Sequence, residues 1–111
     1  MPDSKPILIL RSKGTTLGKV KFESEDWPWN FGRFQPSESF SEYAPVFAEA
    51  ERARATGDAE QRDSSVRQIV AMKLQLLCEE SGDLAGEPDL LWIHGERVSW
   101  RGHSGALRSL L

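Results

Sequence analysis

The segment LLWIHGERVSWR, residues 90 to 101, decides the fold more than any other part of the chain. Two apolar runs flank Gly95 and Glu96, and glycine at the first central position is what a two-residue type II′ hairpin requires. The pattern therefore predicts a β-hairpin in which opposed residues are equidistant from this turn. The predicted core pairs are Leu91 with Trp100 and Ile93 with Val98, and the predicted pairs on the other face are His94 with Arg97 and Trp92 with Ser99.

A second hairpin is predicted near the start of the sequence. An apolar run begins at Ile7, turn-forming residues follow from Gly14, and the segment from Lys19 to Glu23 alternates polar and apolar residues. This period of two directs Val20 and Phe22 into the core and leaves the lysines in solvent.

Apolar spacings of three and four residues between the hairpins predict two helices. A capping box that starts at Ser39 begins the first helix, with Pro45 as a bend or as the true start. Gly57 ends the first helix and Asp58 caps the second, whose apolar spacing continues through Leu77.

Segregated strands and helices favour an α+β fold in ββααββ order. Because an isolated hairpin is marginal, we expect the two hairpins to join in a four-stranded antiparallel sheet with two helices packed on one face. The chain, residues 1–111, then forms a single domain with residues 1–5 and 102–111 as flexible termini. The expected open face of the sheet carries Lys19, Lys21, Trp92, His94, Arg97, Ser99 and Arg101.

Composition excludes several classes of protein. The longest apolar run, Ile7 to Leu10, is far too short to cross a membrane, and the first residues lack the apolar centre of a signal peptide. A net charge of -3 and a pI near 5.4 disfavour a nucleic-acid partner, and nucleic-acid binding through Lys19, Lys21, Arg97, Arg101 and Trp92 is a weak alternative that would require a steep salt dependence. The single cysteine, Cys78, excludes an internal disulfide and a multi-cysteine zinc site, and it suits a reducing, cytoplasmic setting.

Aromatic residues are concentrated between Asp26 and Pro36. Pro28, Gly32 and Pro36 disfavour a helix there and predict an irregular loop. Such a loop offers a flat, stiff surface to a protein, a sugar ring or a base, or it serves as a lid over an exposed end of the sheet. The candidate binding residues, on this loop and on the last hairpin, are Asp26, Trp27, Trp29, Asn30, Arg33, Trp92, Arg97 and Arg101.

The chain resembles a group of small, functionally uncharacterised bacterial α+β domains. Three motifs carry the resemblance, and each is quoted with its first residue: G-x-V-x-F from Gly18, D-W-P-W-x-x-G-x-F-x-P from Asp26, and F-x-x-Y-x-P-x-F from Phe40. These positions cover about a third of the chain. The resemblance implies a bacterial, stand-alone protein and supplies no activity.

The function predicted from the sequence is a non-enzymatic binding or protein-interaction module, with a protein partner or self-association. The alternative is a sugar-like small ligand bound between Trp27 and Phe34. An enzyme with Cys78 as nucleophile and His94 or His103 as base ranks last, because Glu79 and its acidic neighbour disfavour a thiolate. The sequence indicates no catalytic residue, cofactor or metal site.

Overall fold

The computed structural model of the chain describes residues 6–26 and 28–103. This part of the chain forms six strands, a short 3₁₀ helix and two α-helices. In chain order they are β1 (Ile7–Ser12), β2 (Thr15–Asp26), β3 (Trp29–Pro36), the 3₁₀ helix (Glu38–Glu42), α1 (Ala44–Thr56), α2 (Ala59–Ala71), β4 (Leu74–Cys78), β5 (Leu84–His94) and β6 (Arg97–His103).

The strands form one antiparallel sheet that curls until it closes as a barrel in the order β1-β2-β3-β6-β5-β4. The prediction of a four-stranded sheet in ββααββ order with the helices on one face is wrong. The two predicted hairpins do not pair directly, because β3 lies between β2 and β6 and β4 lies between β5 and β1. These two additional strands let the sheet close, and closure removes both of its edges.

Strand β3 occupies the segment for which an irregular loop is predicted, so that prediction is also wrong. Pro28 lies in the turn before β3 and Pro36 is its last residue, and prolines are tolerated at such strand ends. Gly32 is buried, and a Cβ atom there would lie 2.5 Å from the carbonyl oxygen of Lys21. Glycine therefore marks a close approach between neighbouring strands and not a loop.

Strand β4 replaces the predicted end of the second helix. That helix, α2, ends at Ala71 and does not continue through Leu77, since Lys73 adopts a φ of 50° and β4 begins at the next residue. Buried and half-buried residues alternate along β4, as in a strand. A short apolar run fits both a helix and a strand, and here pairing with β1 and β5 decides between them.

Both predicted hairpins are confirmed. In the hairpin of β5 and β6, Leu91 pairs with Trp100 in the predicted register, and Gly95 has the positive φ, 61°, that a type II′ turn requires at this position. In the hairpin of β1 and β2, Lys13 and Gly14 have φ values of 47° and 88°, which is the pattern of a type I′ turn.

The helix boundaries follow local signals. Helix α1 begins at Ala44 with Pro45 in its first turn, so the start predicted at the Ser39 capping box is wrong, because Ser39 lies in the 3₁₀ helix, and the alternative start at Pro45 is one residue from the observed one. Gly57 ends α1 with a φ of 76°, as predicted. The Asp58 carboxylate then caps α2 by accepting a hydrogen bond from the backbone N–H of Gln61 at 3.0 Å.

The barrel interior and the buried sides of the helices share one hydrophobic core. The helices pack at one end of the barrel and against β5. At this end the Ser12 hydroxyl donates to the Met72 carbonyl at 2.7 Å, and the Phe40 ring contacts the rings of Phe34 and Phe47. The fully buried large residues of the hydrophobic core include Leu8, Leu10, Leu17, Val20, Phe47, Ile69, Leu76, Leu91 and Trp100.

Strand β6 extends to His103, and the rest of the two predicted flexible termini lies outside the described residues. No helix in residues 6–26 and 28–103 is long and apolar enough to span a membrane.

Candidate functional site

Strand β3 presents alternate side chains to opposite sides of the barrel wall. Asn30 and Phe34 are buried, whereas Phe31 and Arg33 are exposed and Trp29 is half-buried. This alternation is that of a strand with one side in the core. Aromatic and basic groups thus lie on the outside of the barrel, in a region that we call the outer face, made of the outward side chains of β2, β3, β5 and β6.

A row of four basic side chains crosses the outer face, one from each of these strands. The register opposes Lys21 to Arg33, Arg33 to Arg97, and Arg97 to His94. All four residues are exposed. Because adjacent strands lie about 4.8 Å apart, this basic row is about 15 Å long. Like charges in directly opposed positions destabilise a sheet, so the stability of the fold does not require this arrangement.

An aromatic row runs parallel to the basic row, two residues further along the strands. Phe31 lies opposite Ser99, which lies opposite Trp92. The Phe31 side chain is 38% exposed, and it is the most accessible aromatic ring of this row. Trp92 is half-buried, with the Arg54 guanidinium of α1 at 5.7 Å from its ring centroid.

Beyond the aromatic row, Trp29 lies between Asp26 on β2 and Arg101 on β6. The Arg101 guanidinium is 5.8 Å from the centroid of the Trp29 ring, a cation–π geometry. Both charged residues are exposed. The outer face therefore continues past Phe31 with a second aromatic ring that already has a basic neighbour.

Carboxylates accompany part of the basic row. Arg33 Nε is 3.1 Å from a Glu23 carboxylate oxygen, and Arg33 Nη1 is 3.8 Å from Glu96. Arg97 forms no ion pair with any residue that the structure describes. Such solvent-exposed pairs are worth about 0–1 kcal/mol, so the anionic group of a ligand can replace them.

A shallow concavity of about 510 Å³ adjoins the basic row on β1, β2 and β3. Lys19, Lys21 and Arg33 contribute its basic side, and Ile7 contributes apolar surface. Lys19 Nζ is 2.6 Å from a carboxylate oxygen of Glu79. The positive charge that lines the concavity is thus partly neutralised by carboxylates, as is the charge of the basic row beside it.

The structure brings most of the predicted binding residues together. Those on the outer face are Asp26, Trp29, Arg33, Trp92, Arg97 and Arg101. Asn30 instead points into the barrel, where it is 1% exposed and its Oδ1 has no hydrogen-bond partner among the described residues. Trp27 lies outside the described residues.

Three further residues complete the two rows but are absent from the predicted set: Lys21, Phe31 and His94. The alternation of Trp29, Phe31 and Arg33 is a sequence signal that identifies Phe31 once β3 is recognised as a strand. The position of Lys21 opposite Arg33 depends on the pairing of β2 with β3, for which the sequence provides no local signal.

The groups considered for nucleophilic catalysis lie apart. Cys78 is buried at the end of β4, whereas His94 is exposed on the outside of the barrel with Nδ1 3.2 Å from a Glu51 carboxylate oxygen. The side chain of His103 lies outside the described residues. The structure therefore does not join Cys78 and His94 into a nucleophile–base pair.

The acidic neighbours of Cys78 do not decide its ionisation. Hydrogen bonds to the sulfur from the backbone N–H and hydroxyl of Ser81, and from the backbone N–H of Glu80, lower the pKa of Cys78. Burial and the Glu80 charge act in the opposite direction but are outweighed. The Glu80 charge therefore disfavours the thiolate, as the sequence predicts, but the hydrogen bonds to the sulfur outweigh it and the net shift of the Cys78 pKa is downward.

Within residues 6–26 and 28–103, no group of three or more His, Cys, Asp and Glu side chains is arranged to hold a metal ion. No protein family, curated protein or solved structure matches the chain. The resemblance to small bacterial domains therefore stays a prediction, and the outer face is the main basis for a functional argument.

Proposed function

We propose that the protein is a binding module that recognises an elongated partner through the outer face of its barrel. The supporting observation is the exposed Phe31 beside Arg97, which has no ion pair among the described residues. Neither side chain belongs to the core, and aromatic and arginine residues are the types that contribute most energy to recognition surfaces.

The closed barrel supports side-chain recognition in particular. An open sheet binds a peptide by adding it as a strand to an unpaired edge. Among the described residues every strand pairs with two others, although β5 pairs with β4 only near residues 84–86, so no whole edge strand is free for such addition. A partner is therefore expected to lie across the strands and to contact the aromatic and basic rows. We also propose a cytoplasmic setting, which the single cysteine, Cys78, favours.

Comparative binding of face variants tests the proposal. Phe31→Ala and Arg97→Ala are screened with wild-type protein against single-stranded oligonucleotides, a peptide display library and a glycan array. Val70→Ala is the matched control, because Val70 is a 51% exposed apolar residue on α2. We expect at least one ligand class whose binding falls about tenfold in both face variants and is unchanged in the control. Binding that is equal in all variants contradicts the proposal.

The same screen includes self-association as one form of protein recognition. Sedimentation velocity of wild-type protein and Trp92→Ala measures whether two copies meet through this face. Concentration-dependent dimerisation that Trp92→Ala and Phe31→Ala both abolish supports the proposal with a second copy as partner.

A sugar-like small ligand is the second candidate, supported by the exposed carboxylate of Asp26 opposite the Trp29 ring. Tryptophan fluorescence titrations with a glycan panel test it. A response that Trp29→Phe removes and Phe31→Ala leaves intact favours this candidate over recognition of an elongated partner.

A further inference from the structure

We infer that the partner of the outer face is a single-stranded nucleic acid that crosses the strands with its phosphates on the basic row and its bases on the aromatic row. The inference rests on the proposed function and names the chemistry of its ligand. Its basis is the parallel arrangement of the two rows, one pleat apart, on β3, β6 and β5.

The basic row has the dimensions for a short run of phosphates. Its length of about 15 Å accommodates two or three successive phosphates of an extended strand. Lys21, Arg33 and Arg97 each bring a permanent charge, and His94 adds one when protonated. Because Arg33 and His94 already pair with exposed carboxylates, a bound polyanion exchanges weak surface ion pairs for phosphate contacts.

The aromatic row distinguishes a nucleic acid from an acidic protein segment, because only a nucleic acid has bases that stack on its rings. Phe31 is exposed between the basic row and Trp29, at the distance of about 7 Å that separates residues two apart on a strand. Bases of a single strand stack on such rings without regard to sequence, whereas a duplex keeps its bases inside. The combination therefore favours a single-stranded nucleic acid over a duplex and over an acidic peptide.

The acidic composition of the chain limits the binding surface but does not abolish it. Part of the negative charge lies in α2, outside the outer face, whereas Glu79 pairs with Lys19 on β2, Glu96 with Arg33 and Glu51 with His94. Glu23 lies next to the row and holds Arg33 at 3.1 Å, so phosphate and carboxylate compete for the same guanidinium. This competition predicts that removing the Glu23 charge strengthens binding, which is the opposite of the effect of removing Arg33.

Fluorescence anisotropy with labelled twelve-residue oligo(dT) and oligo(U) tests the inference on the full chain. Phe31→Ala should weaken binding about tenfold, because it removes one stacking platform. Arg97→Ala should weaken binding and reduce the slope of log Kd against log salt by about 0.7, the contribution of one phosphate contact to a single strand. Glu23→Gln should strengthen binding about two- to threefold by the exchange of an exposed ion pair.

Matched controls distinguish binding at the outer face from non-specific attraction of the oligonucleotide to any positive charge of the protein. Val70→Ala and Arg62→Ala, both exposed on α2, should leave oligonucleotide binding unchanged. A duplex of the same length and a poly-glutamate peptide should bind at least tenfold more weakly than the single strand. Thermal unfolding of each variant verifies that the fold is intact.

Poly-glutamate that binds as tightly as oligo(dT), with the same dependence on Phe31, overturns the inference in favour of an acidic protein. The same holds if Phe31→Ala has no effect on oligonucleotide binding. If no oligonucleotide binds but a peptide or glycan binds in a manner that depends on Phe31 and Arg97, this inference fails while the proposed function stands. If no ligand depends on the outer face, both fail.

Discussion

Single side chains on β3 acquire different roles because of the two-residue period of a strand. Phe31 and Asn30 are neighbours in the sequence, yet Phe31 is 38% exposed and Asn30 is 1% exposed. The half-buried Trp29, buried Asn30 and exposed Phe31 follow the alternation of an extended strand. It is therefore the position in the pleat, and not the residue type, that divides this segment between the core and the outer face.

The ionisation of Cys78 provides a residue-scale prediction. Because hydrogen bonds from Ser81 lower the pKa of the thiol, its thiolate should form at a lower pH than that of a free thiol. The midpoint of the iodoacetamide alkylation rate against pH should lie below that of a model thiol measured under the same conditions. Burial of Cys78 should make the absolute rate slow.

The sign of the linked stability change follows from the same shift. The folded chain binds the thiol proton more weakly than the unfolded chain, so this group stabilises the fold above the unfolded-state pKa of about 8.5. That contribution is lost as the pH falls through the folded-state pKa. Ser81→Ala should raise the alkylation midpoint and Ser99→Ala should not. An alkylation profile of wild-type protein equal to that of a model thiol contradicts the prediction.

At the scale of elements, the sequence signals that worked were those satisfied within a few residues. The turns at Gly14 and Gly95 and the helix stop at Gly57 depend only on local backbone angles, and each lies where the sequence indicates. The elements that the sequence did not indicate are β3 and β4. Their hydrogen bonds go to strands from distant parts of the chain, so local propensity does not reveal them.

The N-terminal cap of α2 is an element-scale prediction. The Asp58 carboxylate accepts the backbone N–H of Gln61 at 3.0 Å, so Asp58→Ala leaves this donor without its partner. We expect a loss of about 1 kcal/mol in the free energy of unfolding, measured by urea denaturation. Asp63→Ala, which removes an exposed carboxylate from the body of the same helix, should change stability by less than about 0.5 kcal/mol. Equal losses in the two variants would show that the cap contributes nothing specific.

At the scale of the whole molecule, closure of the sheet is the feature that creates the outer face. Leu10 on β1 pairs with Leu76 on β4, and Gly32 on β3 pairs with Val98 on β6. These two contacts join the N-terminal and C-terminal meanders of the chain. Without the second contact, the aromatic side chains of β3 and the arginines of β6 would belong to separate surfaces.

Closure is tested directly by NMR. Cross-strand nuclear Overhauser effects should connect Leu10 with Leu76 and Gly32 with Val98. Amides of β1 and β4 that pair with each other should exchange with deuterium only through global unfolding, because both strands are interior to a continuous sheet. Helical sequential contacts through Leu77, or rapid exchange of the β4 amides, would be incompatible with the closed barrel.

The candidate site could be predicted only in part. The sequence identified Trp29, Arg33, Trp92, Arg97 and Arg101 as recognition residues from their types and alternation. It assigned them to two separate surfaces, a loop and a sheet face. The pairing of β3 with β6 makes these one surface, and this pairing joins residues about seventy positions apart.

The local structure is predictable from the amino-acid sequence: two hairpins, the register of the second hairpin, the stop of α1 and the cap of α2. Each depends on interactions between residues close in the chain, where glycine angles, side-chain caps and alternating polarity act directly. The tertiary structure sets the identity of residues 29–36 and 74–78 as strands and the closure of the barrel. Those depend on hydrogen bonds between distant segments, which form only when the whole core assembles.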